Sequence, residues 1–285
     1  MKKVNFKNGN EIPALGFGTW QIKRDIAQSA VETALEVGYR HIDTAEGYGN
    51  LDLIQKAIEV SGIKREELFL TTKIWVADFS SKQKILDSGK RFLDILKTDY
   101  QDLILIHWPV RENFNVRMIL EALQELKDQG LAKNIGVSNF SIKHVKDALS
   151  TGVEIVTNQF ELHPSLYSKK LIDFCQGKGI TITGYTPLAW GKDLQIPLIK
   201  ELADKYEVSP AQICIAWQIN KGYIIIPRST SKSHIEDNFK AYSLILEKTD
   251  IDRIDGLNLN NRVLNRDYLE EVEPNSKLDW RFELE

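Results

Sequence analysis

Two cysteines in 285 residues, Cys175 and Cys214, are too few for a disulfide framework, and helix-like pattern flanks each of them. They read as small buried hydrophobes in a reducing compartment, the cytoplasm, rather than as a bridge or a catalytic thiol. No run of about 18 apolar residues occurs, so no transmembrane helix is expected. The N-terminal "MKKVNFKNGNEIPALGFG" has no sustained apolar stretch or cleavage site, and no signal peptide is read there. An excess of one charge is missing too. The balance of 37 basic against 40 acidic residues offers no global attraction for nucleic acid or anionic lipid. Only five histidines are present. His41 and His107 form no HExxH pattern and His163 stands beside a proline in "ELHPS", so no metal cage is expected. No long low-complexity linker divides the chain, and residues 1–285 are expected to form one domain.

What the chain does have is alternation. Eight short apolar runs occur at 15–19, 39–42, 68–73, 102–107, 133–138, 154–159, 180–185 and 223–227. Stretches of helical period lie between them: Ile85, Phe92, Leu93 and Leu96 share one side of 81–97, and Ile119, Leu123 and Leu126 one side of 116–126. The runs are apolar throughout rather than alternating, as in a parallel sheet whose outer face is covered by helices. Gly38, Gly62, Gly130, Gly152, Gly179 and Gly222 each precede a run and suit helix C-caps. The pattern predicts an α/β fold, a (β/α)8 TIM barrel, with an N-terminal β-hairpin turning at Asn8-Gly9 over the barrel bottom. A further helix is expected from about 232, followed by a polar tail.

Every strand of such a barrel delivers its last residues to one rim, where active sites form. That rule gathers Asp43 after the second run, Lys73 at the end of the third and His107 at the end of the fourth, with Tyr48 in the loop beyond Asp43. A lone buried charge costs several kcal/mol, which pairing of Asp43 with Lys73 relieves. Lys73 beside Tyr48 is expected to favour the phenolate and lower its pKa, while His107 orients a substrate oxygen or shares its proton. A phenol so placed suits proton donation to an oxygen that becomes negative during reduction. An aldolase or isomerase using Lys73 as a Schiff base is the competing chemistry, disfavoured because Asp43 would keep the amine protonated.

The segments "GFGTW", "GYRHIDTAEGYGN", "LFLTTKIW", "DLILIHWP", "IGVSNF", "NQFELHP", "YTPLAWG" and "IIIPRSTSKSHIEDNF" resemble the successive signatures of the aldo-keto reductases over nearly the whole chain. The resemblance is nearest in character to short microbial members that reduce glyoxals and diketo-gluconate. It implies an NAD(P)H-dependent oxidoreductase with a catalytic tetrad of Tyr48 as general acid, Asp43, Lys73 and His107. It further implies that Ser138, Asn139 and Gln159 clamp the nicotinamide, Tyr185 stacks on it, and Thr186 and Leu188 follow the pyrophosphate. Thr19, Asp43 and Ile226 also line that cofactor by resemblance. Arg228, Ser229, Thr230 and His234 would hold a 2′-phosphate at a helix N-terminus, with Asp237 and Asn238 at the adenine. Trp20, Trp75, Trp108 and Phe79 would wall the substrate cleft beside Tyr48 and His107.

Departures from the family pattern refine this reading. Arg228 stands where a lysine is usual and His234 where an arginine is usual. An arginine fork binds phosphate bidentately, whereas an imidazole of ordinary basicity is only partly charged at neutral pH. NADP(H) is therefore expected to be preferred, with NAD(H) also used. Leu51 replaces a usual glutamate, Gln55 a glycine and Thr186 a serine, and the segment "GKDLQIP" is short, which predicts a less enclosed cofactor. The partner expected is a small carbonyl compound, such as an aldehyde, α-dicarbonyl or keto sugar acid, acting on a monomer or a dimer. Dispersed basic residues argue against nucleic acid. The alternative of another class is a regulatory subunit that binds cofactor with little or no turnover, distinguished by whether a simple aldehyde consumes reduced cofactor.

Overall fold

The chain begins with a hairpin. In the computed structural model, which describes residues 2–109 and 114–264, β1 (Lys3–Asn5) pairs antiparallel with β2 (Glu11–Pro13). Gly9 turns between them at φ 87°, a conformation that favours glycine. The expectation of one domain over 1–285 also covers residues 1, 110–113 and 265–285, which lie outside the described residues.

Parallel strands and helices then alternate: β3 (Phe17–Gly18), α1 (Arg24–Val37), β4 (His41–Asp43), α2 (Leu51–Ser61), β5 (Phe69–Ile74), α3 (Lys82–Leu96), β6 (Leu103–Ile106) and α4 (Val116–Asp128). They continue with β7 (Ile135–Ser138), α5 (Ile142–Leu149), β8 (Thr157–Glu161), α6 (Lys169–Gly177), β9 (Thr181–Tyr185), α7 (Pro197–Tyr206), α8 (Pro210–Asn220) and β10 (Ile224–Ile226). Helices α9 (Lys232–Lys240) and α10 (Lys248–Asp255) complete the set. Each of the eight apolar runs overlaps one strand of the sheet β3 to β10, in chain order, with β4, β5 and β8 extending one or two residues past the run. The first and last strands close the ring: Gly16 N donates to Ile225 O at 2.8 Å, Ile225 N to Ala14 O at 2.8 Å and Gly18 N to Pro227 O at 3.0 Å. Gly18 is required there, because a Cβ would lie 2.9 Å from the Ile226 carbonyl oxygen.

The helices form where the sequence supplies both a cap and an apolar stripe. Ser81 caps α3 by accepting from Lys84 N, and Ile85, Phe92, Leu93 and Leu96 turn inward. Asn115 does the same for α4 through Met118 N, and Ile119, Leu123 and Leu126 are buried. Pro210 opens α8 behind Ser209, whose hydroxyl accepts from Gln212 N. The six returning glycines all sit at positive φ, between 63° and 121°.

The hairpin covers the end of the barrel remote from the strand C-termini. Phe6 and Ile12 pack with Phe69, Leu103, Leu105, Val156 and Ile224 in a cluster separate from the main core. Phe6 is 3% exposed, so truncating it removes a buried ring from the plug. Phe6→Ala should cost about 3 kcal/mol of unfolding free energy, the low end for a buried aromatic, in urea titrations. Catalysis at the opposite rim should stay within about twofold of the parent; a loss below about 1 kcal/mol would show that the hairpin does not seal the barrel.

Candidate active site

Strand register brings the polar groups to one end. Asp43 ends β4, Lys73 is the penultimate residue of β5, His107 follows β6, Ser138 ends β7 and Tyr185 ends β9. Because Asp43 aligns with Thr71 and Lys73 with Leu105, each successive strand reaches the rim with a different side chain. Lys73 Nζ donates to Asp43 Oδ1 at 2.5 Å and to the Thr44 carbonyl at 3.1 Å. Both partners of this ion pair are nearly inaccessible, at 1% and 3% side-chain exposure. Gln159 Nε2 donates to the other Asp43 oxygen at 2.7 Å. The carboxylate is thereby held by donors from two non-adjacent strands, β5 and β8.

Tyr48 reaches this pair from a single 3₁₀ turn, Glu46–Tyr48. Arg91 of α3 grips Glu46 at the head of that turn, its Nη2 donating at 2.7 Å. Asn50, fully buried, ties the far side to the loop after β3 by donating to Thr19 O at 3.0 Å and Ile22 O at 3.2 Å. The Tyr48 ring lies 5.0 Å from Lys73 Nζ and meets the His107 imidazole edge-on at 5.8 Å between centroids. Trp75 also meets His107 edge-on, at 5.1 Å between ring centroids.

The electrostatics correct one expectation. Lys73 does not make Tyr48 more acidic: burial, and then the Asp43 charge, push the phenol well above its ordinary pKa. The ammonium is neutralised by its own carboxylate, so desolvation of the phenolate decides the direction. Burial also lowers the Lys73 pKa, against the opposing pull of Asp43. It drives His107 well below its usual value, with the Lys73 charge assisting. The site thus presents a protonated phenol beside a neutral imidazole, whose Nδ1 has no partner among the described residues.

Around these groups runs a cleft of about 420 Å³. Of the residues singled out from sequence, Trp20, Asp43, Tyr48, Trp75, His107, Trp108, Ser138, Asn139, Gln159 and Tyr185 line it. Thr186, Leu188, Ile226, Arg228 and His234 extend the lining toward the N-terminus of α9. Lys73 lies beneath the cleft and does not line it, which leaves a Schiff base no access to its amine. Thr19 is buried, its hydroxyl donating to Asp43 O at 3.0 Å. Phe79 is buried in the core, with its ring 6.1 Å from that of Phe114. Ser229 Oγ accepts from Ser231 N at 3.1 Å, and Thr230 is exposed outside the cleft. Asp237 accepts from Ser209 and from Gln212 Nε2 of α8, the latter at 2.6 Å, while Asn238 is buried. Trp190, Leu194 and Leu264 are lining residues that sequence reading passed over. Trp190 was visible only as part of a motif, and no local pattern marks the other two.

The polar wall fits a dinucleotide. Asn139, at φ 64°, donates to His107 O at 3.1 Å and accepts from the Tyr185 hydroxyl at 2.7 Å, which fixes its amide at the rim. Gln159 Oε1 has no partner among the described residues and is available to a carboxamide N–H at the cleft. At the far end the Arg228 and His234 side chains offer cationic and N–H groups to an anion. No cluster of three or more His, Cys, Asp or Glu suited to a metal ion occurs among the described residues. Nor is any helix among them long and apolar enough to cross a membrane.

The barrel thus gathers a phenol, an imidazole and a buried ion pair at its open rim, an arrangement typical of enzyme active sites in this fold. Comparison with known proteins narrows that description. The model of the aldo/keto reductase family matches residues 14–259, and the chain belongs to that family. Methylglyoxal reductase DkgB of Escherichia coli O157:H7 is 44% identical over 257 residues, 89% of this chain and 96% of the relative. Glycerol 2-dehydrogenase (NADP(+)) of Saccharomyces cerevisiae is 38% identical over 277 residues, 86% of this chain and 88% of that one. The crystal structure of an aldo/keto reductase from Brucella melitensis matches with TM-score 0.86 and 42% identity, covering 90% of this chain and 99% of the other. The protein is an oxidoreductase acting on carbonyl or alcohol groups with a nicotinamide cofactor.

The buried ion pair gives the site a measurable stability signature. Asp43→Ala leaves Lys73 charged and unpaired, and should cost about 3–5 kcal/mol in chemical denaturation. Adding Lys73→Met to that variant should recover part of the loss. A coupling energy near zero, in the cycle completed by Lys73→Met alone, would mean that the two side chains are not energetically coupled.

Proposed function

We propose that the chain reduces small aldehydes, α-dicarbonyls such as methylglyoxal, or keto sugar acids to alcohols, preferring NADPH, with Tyr48 as the general acid. The observation that carries this reading is the Tyr48 phenol, kept protonated in the cleft between His107 and the Asp43–Lys73 pair. A bound nicotinamide cofactor supplies the hydride, which no side chain can do. Asn139 and Gln159 orient the carboxamide end. Neutral His107 holds the substrate oxygen by hydrogen bonding, and Tyr48 delivers its proton as negative charge develops there. Lys73, held by Asp43, lies 5.0 Å from the Tyr48 ring and fixes the floor of the cleft beneath the phenol. Trp20, Trp75 and Trp108 exclude water and supply an apolar wall to a small carbonyl body. The methylglyoxal reductase activity in the name of the E. coli relative supports the substrate class, and the NADP(+) in the name of the yeast relative supports the cofactor.

Tyr48→Phe should retain binding of reduced cofactor, followed by fluorescence, and lose at least about 10²-fold in turnover. Near-parental rates on methylglyoxal, benzaldehyde, xylose and 2,5-diketo-gluconate would exclude Tyr48 as principal acid. Activity confined to steroids would exclude the small-carbonyl class.

Selection of NADPH rests on Arg228, exposed at the end of the cleft that leads to α9. Only NADPH presents an extra dianion to a guanidinium there. Arg228→Ala should weaken NADPH binding by about 1–3 kcal/mol and NADH binding much less. Equal losses in the two dissociation constants would remove Arg228 from 2′-phosphate recognition.

A further inference from the structure

His163 is fully buried away from the Tyr48 centre, and both of its ring nitrogens face carboxylates. Nε2 lies 3.0 Å from Glu161 Oε1 and Nδ1 lies 3.1 Å from Asp193 Oδ2. A carboxylate only accepts, so each ring nitrogen must donate. The Ser165 hydroxyl, also 3.1 Å from Nδ1, has its one proton directed to Asp193 Oδ1 at 2.6 Å.

The two carboxylates in turn hold segments distant in sequence. Glu161 Oε1 accepts from Val263 N at 2.7 Å and Oε2 from Leu264 N at 3.0 Å. Arg262 Nη1 lies 3.6 Å from the same Oε2. Asn261 N donates to Ser165 O at 3.0 Å, extending the attachment by one more residue. Asp193 belongs to the turn Asp193–Gln195, between β9 and α7. Leu194, next to Asp193, and Leu264, at the end of the other segment, both line the cleft.

We propose that His163 is a positioning residue, a doubly protonated pin that holds residues 261–264 through Glu161 and the 193–195 turn through Asp193 as two walls of the cleft. The consequence for binding rests on the reading of that cleft as the cofactor and carbonyl site. Charge balance supports the pin. His163 and Arg262 supply two positive charges among the two carboxylates, so neutral imidazole would leave an excess buried negative charge. Burial opposes protonation of His163, but the hydrogen bonds and charges of Asp193 and Glu161 outweigh it and raise its pKa. Asp193 is lowered: burial opposes ionisation, and the hydrogen bonds of His163 and Ser165 prevail. The other titratable groups that feel these carboxylates are Tyr185 of β9 and Cys214 of α8, both shifted upward, burial first, and so neutral.

The sign of the pH effect follows from those directions. A histidine raised on folding contributes stability that is complete below its unfolded pKa, about 6.5, and lost as pH rises through the folded value. A depressed carboxylate contributes above its unfolded value, about 3.9, and loses that contribution as pH falls through the folded one. The pin is therefore complete below the ordinary histidine value and loosens as pH rises through the raised folded one.

The experiment uses the whole enzyme labelled with ¹⁵N-histidine, whose five imidazoles are assigned by single substitution. In a pH titration His163 should keep both nitrogens protonated to a higher pH than an ordinary histidine, whose midpoint is about 6.5. A midpoint at or below that value would overturn the proposal. In Glu161→Gln, amide exchange at Val263 and Leu264 should accelerate about tenfold or more as the acceptor weakens. His163→Gln should raise KM for cofactor or carbonyl about tenfold while kcat stays within about threefold, because the proton donor is untouched. Unchanged exchange in the first variant, or unchanged KM in the second, would also overturn it. If His163→Gln fails to fold, Asp193→Asn carries the kinetic comparison with the same expected split. The two nuclear magnetic readouts need no turnover, so failure of the pin is distinguishable from failure of the catalytic reading.

Discussion

The ion pair between Lys73 and Asp43 is the constraint around which the rim is built. Two charges removed from water are tolerated only when their remaining hydrogen-bonding capacity is met, and here Thr44 and Gln159 meet it. Those partners come from β8 and from the residue after β4, so the pair is correctly made only when the ring of strands is closed. Closure itself depends on the backbone bonds that join residues 14–18 to β10. Fold and site are thus satisfied by the same set of contacts.

The pair also explains why the phenol behaves as it does. An unpaired ammonium at 5.0 Å would draw Tyr48 toward phenolate; one that already donates to a carboxylate leaves burial in command. The same burial keeps His107 neutral. A neutral donor set suits a reaction in which negative charge appears on oxygen only during hydride transfer, since the groups need not be reorganised at that moment. Trp75 against His107, and Asn50 and Arg91 on either side of the Tyr48 turn, hold the geometry without taking part in the chemistry.

Much of this was legible from residue order. Asp43, Tyr48, Lys73 and His107 could be placed together because parallel strands separated by helices must present their C-terminal ends to one face. Trp20, Trp75 and Trp108 followed by adjacency to those ends. Phe79, expected at the cleft from resemblance alone, is buried in the core with its ring beside that of Phe114. Asp237 faces α8, because Ser209 and Gln212 offer it donors on the inner side of α9. Trp190 enters the cleft through a backbone excursion at φ 55° and Leu264 from the segment after α10, and no periodic pattern marks either.

Sequence by itself determined the barrel and which polar groups meet at its rim. Hydrophobic period, cap residues and turn glycines are local quantities, and eight repetitions of strand and helix leave few closed arrangements that bury them all. What only the tertiary structure decided is the sign and sharing of the charges. Whether Lys73 acts on Tyr48 or is neutralised by Asp43, and whether His163 is one more buried imidazole or the bridge between Glu161 and Asp193, depend on distances of about 3 Å between groups on different elements. Electrostatic energy in a desolvated interior changes steeply over that range, and sequence separation does not encode it.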